Sequence, residues 1–275
     1  MKRILVAINL RAQADRAFDR AVRLAVEHSA ELTLFHVIST DRSRHGGAAR
    51  DRAERELQSY PVPSNVKANY RIGAGEPATE IAALARSIAA DLIVLGLHHD
   101  RPVLDFFTDT MAHCVARRST APLLVAKQPT RGPYQKVLAA TDFSPCAKRA
   151  LRAALEWAPS AEFHLLHVYR TPFPAFIHFS ADELEEFQSA RLSRIQDDLH
   201  EEMQHFIARD TKGEFPRINL ILERNDVDVG IIKVIRQLEP DLLAMGLSGF
   251  NFATLVGSRT GEHLSHPDRD ILVTA

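Results

Sequence analysis

Toward the end of the chain, three glycines and a serine have the types and spacing to hold an oxyanion. They run Gly246-x-x-Gly249, followed by Gly257-Ser258. Glycines let backbone N–H groups approach an anion closely, and a helix starting near Ser258 would add unpaired donors and the positive end of its dipole. Two readings of this loop stand side by side: a phosphate cradle, or turn glycines followed by a serine N-cap. No lysine occupies the loop, so it is not the G-x-x-x-x-G-K-[ST] arrangement, and Arg259 is the nearby fixed positive charge. Metal-driven hydrolysis is poorly served by such a set. Other groups that could do chemistry are weaker candidates. His98-His99 and His263-x-x-His266, among thirteen histidines, come without an assured third ligand and read as solvated or capping side chains. Cys146 lies four residues past Asp142 on the first turns of an expected helix, where a small packed residue is commoner than a reactive thiol.

The elements that must position these residues occur twice. Residues 2–25 align without a gap on 135–158, AELTLFHV at 30–37 returns as AEFHLLHV at 161–168, ADLIVLG at 90–96 as PDLLAMG at 240–246, and PLLVA at 122–126 as DILVT at 270–274. Short runs rich in Val, Ile and Leu at 3–8, 31–37, 66–72, 92–95 and 122–126 have the apolar character of strands covered on both faces. The second copy repeats them at 136–141, 162–168, 217–222, 242–245 and 270–274. Between them, apolar residues fall at helical spacing: Phe18, Ala21 and Ala25; Ala78, Ile81, Ala82, Ala85 and Ile88; Val227, Ile231, Val234 and Leu238. Strands alternating with helices of this length form right-handed βαβ units, so each copy is expected to be an open, doubly wound α/β layer. The boundary falls in Lys127-Gln128-Pro129-Thr130-Arg131-Gly132-Pro133, giving domains at 1–128 and 134–275 that pack together because the linker is short. The charged residues Asp15, Arg16 and Arg20, like Lys148, Arg149 and Arg152, are expected on solvated faces of the first helices.

The copies differ in their middle segments. The second carries a long amphipathic helix from about 181 to 208, with Leu184, Phe187, Ile195, Leu199, Met203 and Phe206 on its apolar face. Before it, the connector 171–179 is unusually aromatic, either covering a sheet edge or the partner domain or forming a lid over a ligand or partner surface.

Composition limits the partners. A formal net charge of −1 offers no electrostatic attraction for nucleic acid or anionic membrane, and 45% hydrophobic with 25% charged residues is an ordinary globular balance. Two cysteines at non-equivalent repeat positions provide no disulfide framework, the N-terminus lacks a signal-peptide core, and no apolar run reaches the ~18 residues of a membrane helix. A cytoplasmic protein is expected.

Open α/β sheets bind ligands outside the carboxyl ends of their strands, a rim that gathers Thr141-Asp142-Phe143-Ser144, Val168 and the 246–258 loop. The series KVLAATDFSPCAKRAL at 136–151, LLHV at 165–168, PDLLAMG at 240–246, then GLSG and LVGS, resembles the universal stress protein family in its tandem form, across the whole chain. That resemblance implies five-stranded parallel sheets of order 3-2-1-4-5, Rossmann-like, with ATP in binding members. It implies that Asp142 meets the adenosine moiety, Val168 lines the base pocket, Met245 and Gly246 flank the sugar, and Gly249, Gly257 and Ser258 hold phosphates. The nucleotide expected is ATP, with AMP or ADP as alternatives and magnesium left open; no metal site and no catalytic residue are assigned. Activity would amount at most to slow hydrolysis or autophosphorylation at Ser258. The resemblance also implies association through last strands, here 122–126 with 270–274 as an internal pseudo-dimer, with a homodimer of chains left open.

Two departures bear on the ligand. Seven residues, 250–256, separate Gly249 from Gly257 where the family motif has nine, a shortening of about 3 Å as helix or up to roughly 7 Å extended. Asp270 stands where the family usually has proline, a change expected to affect packing more than ligand contacts. In the first copy Asn9 replaces the aspartate, and His99 and Asp109 replace glycines; a carboxylate at Asp109 would repel phosphate, so a degenerate site is expected there. The competing expectation is a nucleotide-free scaffold acting through its surfaces.

Overall fold

A computed structural model of the chain describes residues 1–10, 16–38, 46–96, 111–170, 197–198, 200–206, 208, 218–247 and 269–275. In chain order the elements are β1 (Arg3–Ala7), α1 (Arg16–His28), β2 (Glu31–Ile38), α2 (Gly46–Gln58), β3 (Ala68–Ala74), α3 (Pro77–Ser87), β4 (Leu92–Gly96), α4 (Met111–Arg118) and β5 (Leu123–Ala126). The second copy gives β6 (Lys136–Ala140), α5 (Pro145–Trp157), β7 (Glu162–Tyr169), β8 (Ile218–Arg224), α6 (Val227–Leu238), β9 (Leu242–Gly246) and β10 (Asp270–Thr274). Residues 200–206 are also helical apart from any labelled element.

The apolar runs explain the sheet. Successive strand side chains point to opposite faces. Ile4, Val6, Leu92, Val94, Val137 and Ala139 therefore enter one core, while Leu5, Ile93, Leu95, Leu138 and Leu243 enter the other. Helices α1 and α5 and the segment bearing Met203 and Phe206 cover the first face; α3, α4 and α6 cover the second. Each copy is thus an α/β doubly wound layer, with the strand order 3-2-1-4-5 in its own numbering.

The two layers are one sheet, of order β3-β2-β1-β4-β5-β10-β9-β6-β7-β8. Among the described residues every strand pair within a copy is parallel and the seam alone is antiparallel, with Ile271 opposite Val125, Leu272 opposite Leu124 and Val273 opposite Leu123. Pairing hides two short apolar edges that would otherwise invite aggregation. Both cores run through the seam, since Leu124 and Leu272 lie in one and Leu123, Val125, Ile271 and Val273 in the other.

A buried polar cluster fastens the seam to the linker. Asp270 is wholly buried, and its Oδ1 accepts the backbone N–H groups of Lys127 at 2.8 Å and Gln128 at 3.0 Å. Its Oδ2 accepts the Tyr134 hydroxyl at 2.7 Å and lies 2.9 Å from Arg20 Nε. Burial first, and then the neighbouring Asp270 carboxylate, push the Tyr134 phenol well above its usual range, so it remains a donor. The Arg20 guanidinium lies over the Tyr134 ring at 4.2 Å and donates to Gly132 O at 3.0 Å.

Two expectations are corrected here. Arg20 is not on a solvated face but 5% exposed, because α1 turns it onto the linker and the far end of the chain supplies its carboxylate. Val227 does not belong to the buried stripe of α6; it is 37% exposed at the helix's first position, and Ile231, Val234 and Ile235 make the core face.

Candidate functional site

The loop leaving β6 is built by its own side chains. Thr141 N donates to Leu166 O at 2.8 Å, which keeps the chain beside β7 for one residue past the strand. Thr141 Oγ1 then accepts from Phe143 N at 2.9 Å, Asp142 Oδ1 accepts from Ser144 N at 3.0 Å, and Ser144 Oγ accepts from Ala147 N at 3.2 Å. The last bond makes Ser144 the N-cap of α5, with Pro145 placed where a helix loses no hydrogen bond to it. The turn is tight enough to hold Phe143 at φ 62°, in the left-handed region. Asp142 is exposed at the rim, and Thr141 is buried behind it.

Gly246, the last residue of β9, explains why a glycine is needed beside this loop. A Cβ there would lie 2.6 Å from Ala147 N and 2.8 Å from both the Cys146 carbonyl carbon and Cys146 Cβ. The first turn of α5 rests on the bare backbone. Thr274 Oγ1 donates to Cys146 O at 2.8 Å, Leu247 N donates to Thr274 O at 2.8 Å, and Arg149 Nε donates to Ala275 O at 2.9 Å, so β10 closes the other side.

Four of the residues expected at the site are thereby brought to one rim. Asp142 follows β6, Met245 and Gly246 end β9, and Val168 lies near the end of β7, on adjacent strands in the order β9-β6-β7. The Met245 side chain is buried in the second core rather than exposed on the rim. Val168 is partly buried; its Cγ1 would be 2.7 Å from a Cβ on Gly230, so its side chain seats α6 closely on β7. Gly249, Gly257, Ser258 and Arg259 lie outside the described residues, as do His98, His99, Asp109, His263, His266 and the aromatic stretch 171–179. Among the described residues no three His, Cys, Asp or Glu side chains gather as a metal site, and no helix is long and apolar enough to cross a membrane.

The rim also contains residues that the motif did not single out. His167 Nδ1 is 2.9 Å from Thr141 O. A carbonyl only accepts, so Nδ1 carries the hydrogen. The ring lies against Phe143, centroid to centroid 4.5 Å at 30°, and Phe143 meets the Phe206 edge at 5.8 Å. In the first copy His36 Nδ1 makes the same bond to Ile8 O at 2.9 Å, and Ile8 N donates to Phe35 O at 2.8 Å. The signal was present in the repeat itself, as the His-Val pair shared by LFHV and LLHV. A second repeated contact joins each first helix to the residue after its last strand, Arg16 to Lys127 O and Arg149 to Ala275 O.

The profile described as Universal stress protein family matches residues 1–127 and again residues 133–274. The chain belongs to the universal stress protein family. This universal stress protein is 28% identical over 145 residues to a universal stress protein of Bacillus subtilis, a match covering 46% of this chain and 98% of the relative. The crystal structure of a universal stress protein from Archaeoglobus fulgidus covers 99% of this chain and 97% of its own, at 15% identity and a TM-score of 0.57. A further universal stress protein, solved in complex with cAMP, covers 45% of this chain and 94% of its own, at 22% identity and a TM-score of 0.36.

Proposed function

We propose that this universal stress protein acts in a stress response by binding ATP or another adenine nucleotide in its C-terminal half, 134–275, as a signal or regulator. The N-terminal half, 1–128, carries a degenerate site in this reading. The observation that carries it is the junction of Gly246 with the first turn of α5, where the Cβ that glycine lacks would lie 2.6 Å from Ala147 N, together with an exposed Asp142 on the loop that leads into that turn. With no side chain at Gly246, α5 seats closely on the end of β9 and fixes the Asp142 loop at the strand ends, where open α/β sheets bind ligands.

Asp142 would meet the adenosine moiety, Val168 the base, and Met245 and Gly246 the sugar through their backbone. Gly249, Gly257 and Ser258 would supply N–H and hydroxyl donors to phosphates, a bound nucleotide's negative charge being suited to such donors. The protein's residues supply binding and orientation, and no side chain is assigned a catalytic proton transfer. The reading places the protein in the cytoplasm, where adenine nucleotides are plentiful.

Mass spectrometry of small molecules released from the purified full chain, together with ATP titration by calorimetry, tests it. An adenine nucleotide should be released or bound, one per chain, and lost in Gly257→Asp while the melting temperature of the apo protein is kept. Absence of any adenine compound and of any ATP response would replace this reading by the nucleotide-free scaffold.

A further inference from the structure

His28 closes α1 and Trp157 closes α5, and the two residues meet across the halves with ring centroids 4.8 Å apart at 73°. His28 Nε2 is 3.2 Å from Trp157 O, and His28 Nδ1 is 3.3 Å from Lys2 Nζ. A carbonyl only accepts and an ammonium only donates. Both bonds therefore require one form of the ring, neutral, with its hydrogen on Nε2 and a lone pair on Nδ1. A proton added to Nδ1 would aim an N–H at the ammonium across the same short distance and abolish the bond.

Lys2 is itself a bridge. Its Nζ lies 3.2 Å from Glu156 Oε1, donates to Glu156 O at 3.2 Å, and sits 4.5 Å from the centre of the Trp157 ring. The β1 lead-in is thus tied to the last turn of α5 by Lys2 directly, and α1 joins both through the His28 imidazole.

The charged groups facing that imidazole act in both directions. Burial opposes a charge most strongly, and Lys2 opposes it next; the bond to Trp157 O and the carboxylates Glu27 and Glu156 favour it. The balance holds His28 below its ordinary value of 6.5. The unfolded chain therefore binds the proton more readily than the folded one. The contact's stability is complete above pH 6.5 and declines as the pH falls through the folded value.

We propose that His28 is an acid-sensitive latch between the two halves: while neutral its Nδ1 holds Lys2 beside the last turn of α5, and a proton taken at Nδ1 from solvent ends that bond and sets two cations against each other, loosening the junction while Nε2–H stays on Trp157 O. The step needs no co-reactant, and it is independent of whether the rim holds a nucleotide.

Trp157 is the single tryptophan of the chain, so intrinsic emission reads this contact directly. The full protein is titrated from pH 8 to pH 4.5 at constant ionic strength, and hydrogen exchange of the final turns of α1 and α5 is followed at the two ends, corrected for intrinsic rates. The expected result is a one-proton change in Trp157 emission with a midpoint below 6.5, accompanied by faster exchange of both turns at acid pH. His28→Gln, whose amide can still donate to Trp157 O, should lose the transition. Lys2→Met, which removes the opposing charge, should move the midpoint upward. Persistence of the transition in His28→Gln, a midpoint unmoved or lowered in Lys2→Met, or equal exchange at both pH values would each overturn the latch. If His28→Gln does not fold, the His28 ring resonances in the parent and in Lys2→Met provide the same midpoints.

Discussion

Replacing Asp270 by asparagine isolates the charge in the buried cluster from its hydrogen bonds. Asparagine can present a carbonyl oxygen to the Lys127 and Gln128 amides, now 2.8 and 3.0 Å from Oδ1, but it cannot neutralise Arg20. The guanidinium, with its side chain 6% exposed and Nε 2.9 Å from a carboxylate that is 0% exposed, would become an unpaired buried cation. Breaking one side of such a pair costs about 3–5 kcal/mol. At about 2–4 °C per kcal/mol for a protein of this size, the melting temperature should fall by roughly 10 °C. The double substitution Arg20→Met with Asp270→Asn removes the orphaned charge while keeping the amide acceptor, and should recover most of that loss. Thermal and urea unfolding followed by circular dichroism measure both variants. An Asp270→Asn protein within about 1 kcal/mol of the parent, or a double variant no more stable than the single, would refute the assignment of the cluster as a charge-dependent fastening.

Three further substitutions have defined outcomes. Gly246→Ala forces a Cβ to within 2.6 Å of Ala147 N, so α5 must shift, and urea unfolding should show a loss of about 1–3 kcal/mol. Glu76 caps α3 by accepting from Ala78 N at 3.0 Å and Thr79 N at 2.8 Å, and Glu76→Ala should cost about 1 kcal/mol at neutral pH. Hydrogen bonding from the Thr79 side chain, foremost, holds this carboxyl below its ordinary 4.5, so the contribution is present above pH 4.5 and is lost as the pH falls; parent and variant should converge in acid. Glu239 ends α6 in the left-handed region at φ 49°, and Glu239→Gly should raise stability by up to about 1 kcal/mol in the same assay.

The layers were legible because their strands are apolar on both faces, which leaves runs such as RILVA and LIVLG that no helix face interrupts. Precision fell at the outer strands. Residues 66–72 and 217–222 were expected where β3 spans Ala68–Ala74 and β8 spans Ile218–Arg224, because a partly exposed edge tolerates polar residues at its ends. The role of Arg20 could not be read locally. It stands among charged neighbours like any solvent-facing residue, and its partner enters from the last strand. Asp270 was distinguishable as a departure from the family's proline, and the structure gives it a packing role, whereas its four partners follow only from the antiparallel seam. On the rim, Asp142 and Gly246 were identified by motif. His167 was not, since its bond to the Thr141 carbonyl depends on β6 and β7 lying side by side.

The reversal of direction between β5 and β10 has a geometric consequence. Strands of the first copy all point one way and strands of the second the other, so the two rims open on opposite ends of the slab. Asp142, after β6, and Asn9, after β1, lie at opposite ends of the strand direction. Duplication has therefore yielded a two-ended object, each end able to diverge under its own selection while a shared interior keeps them in a fixed relation.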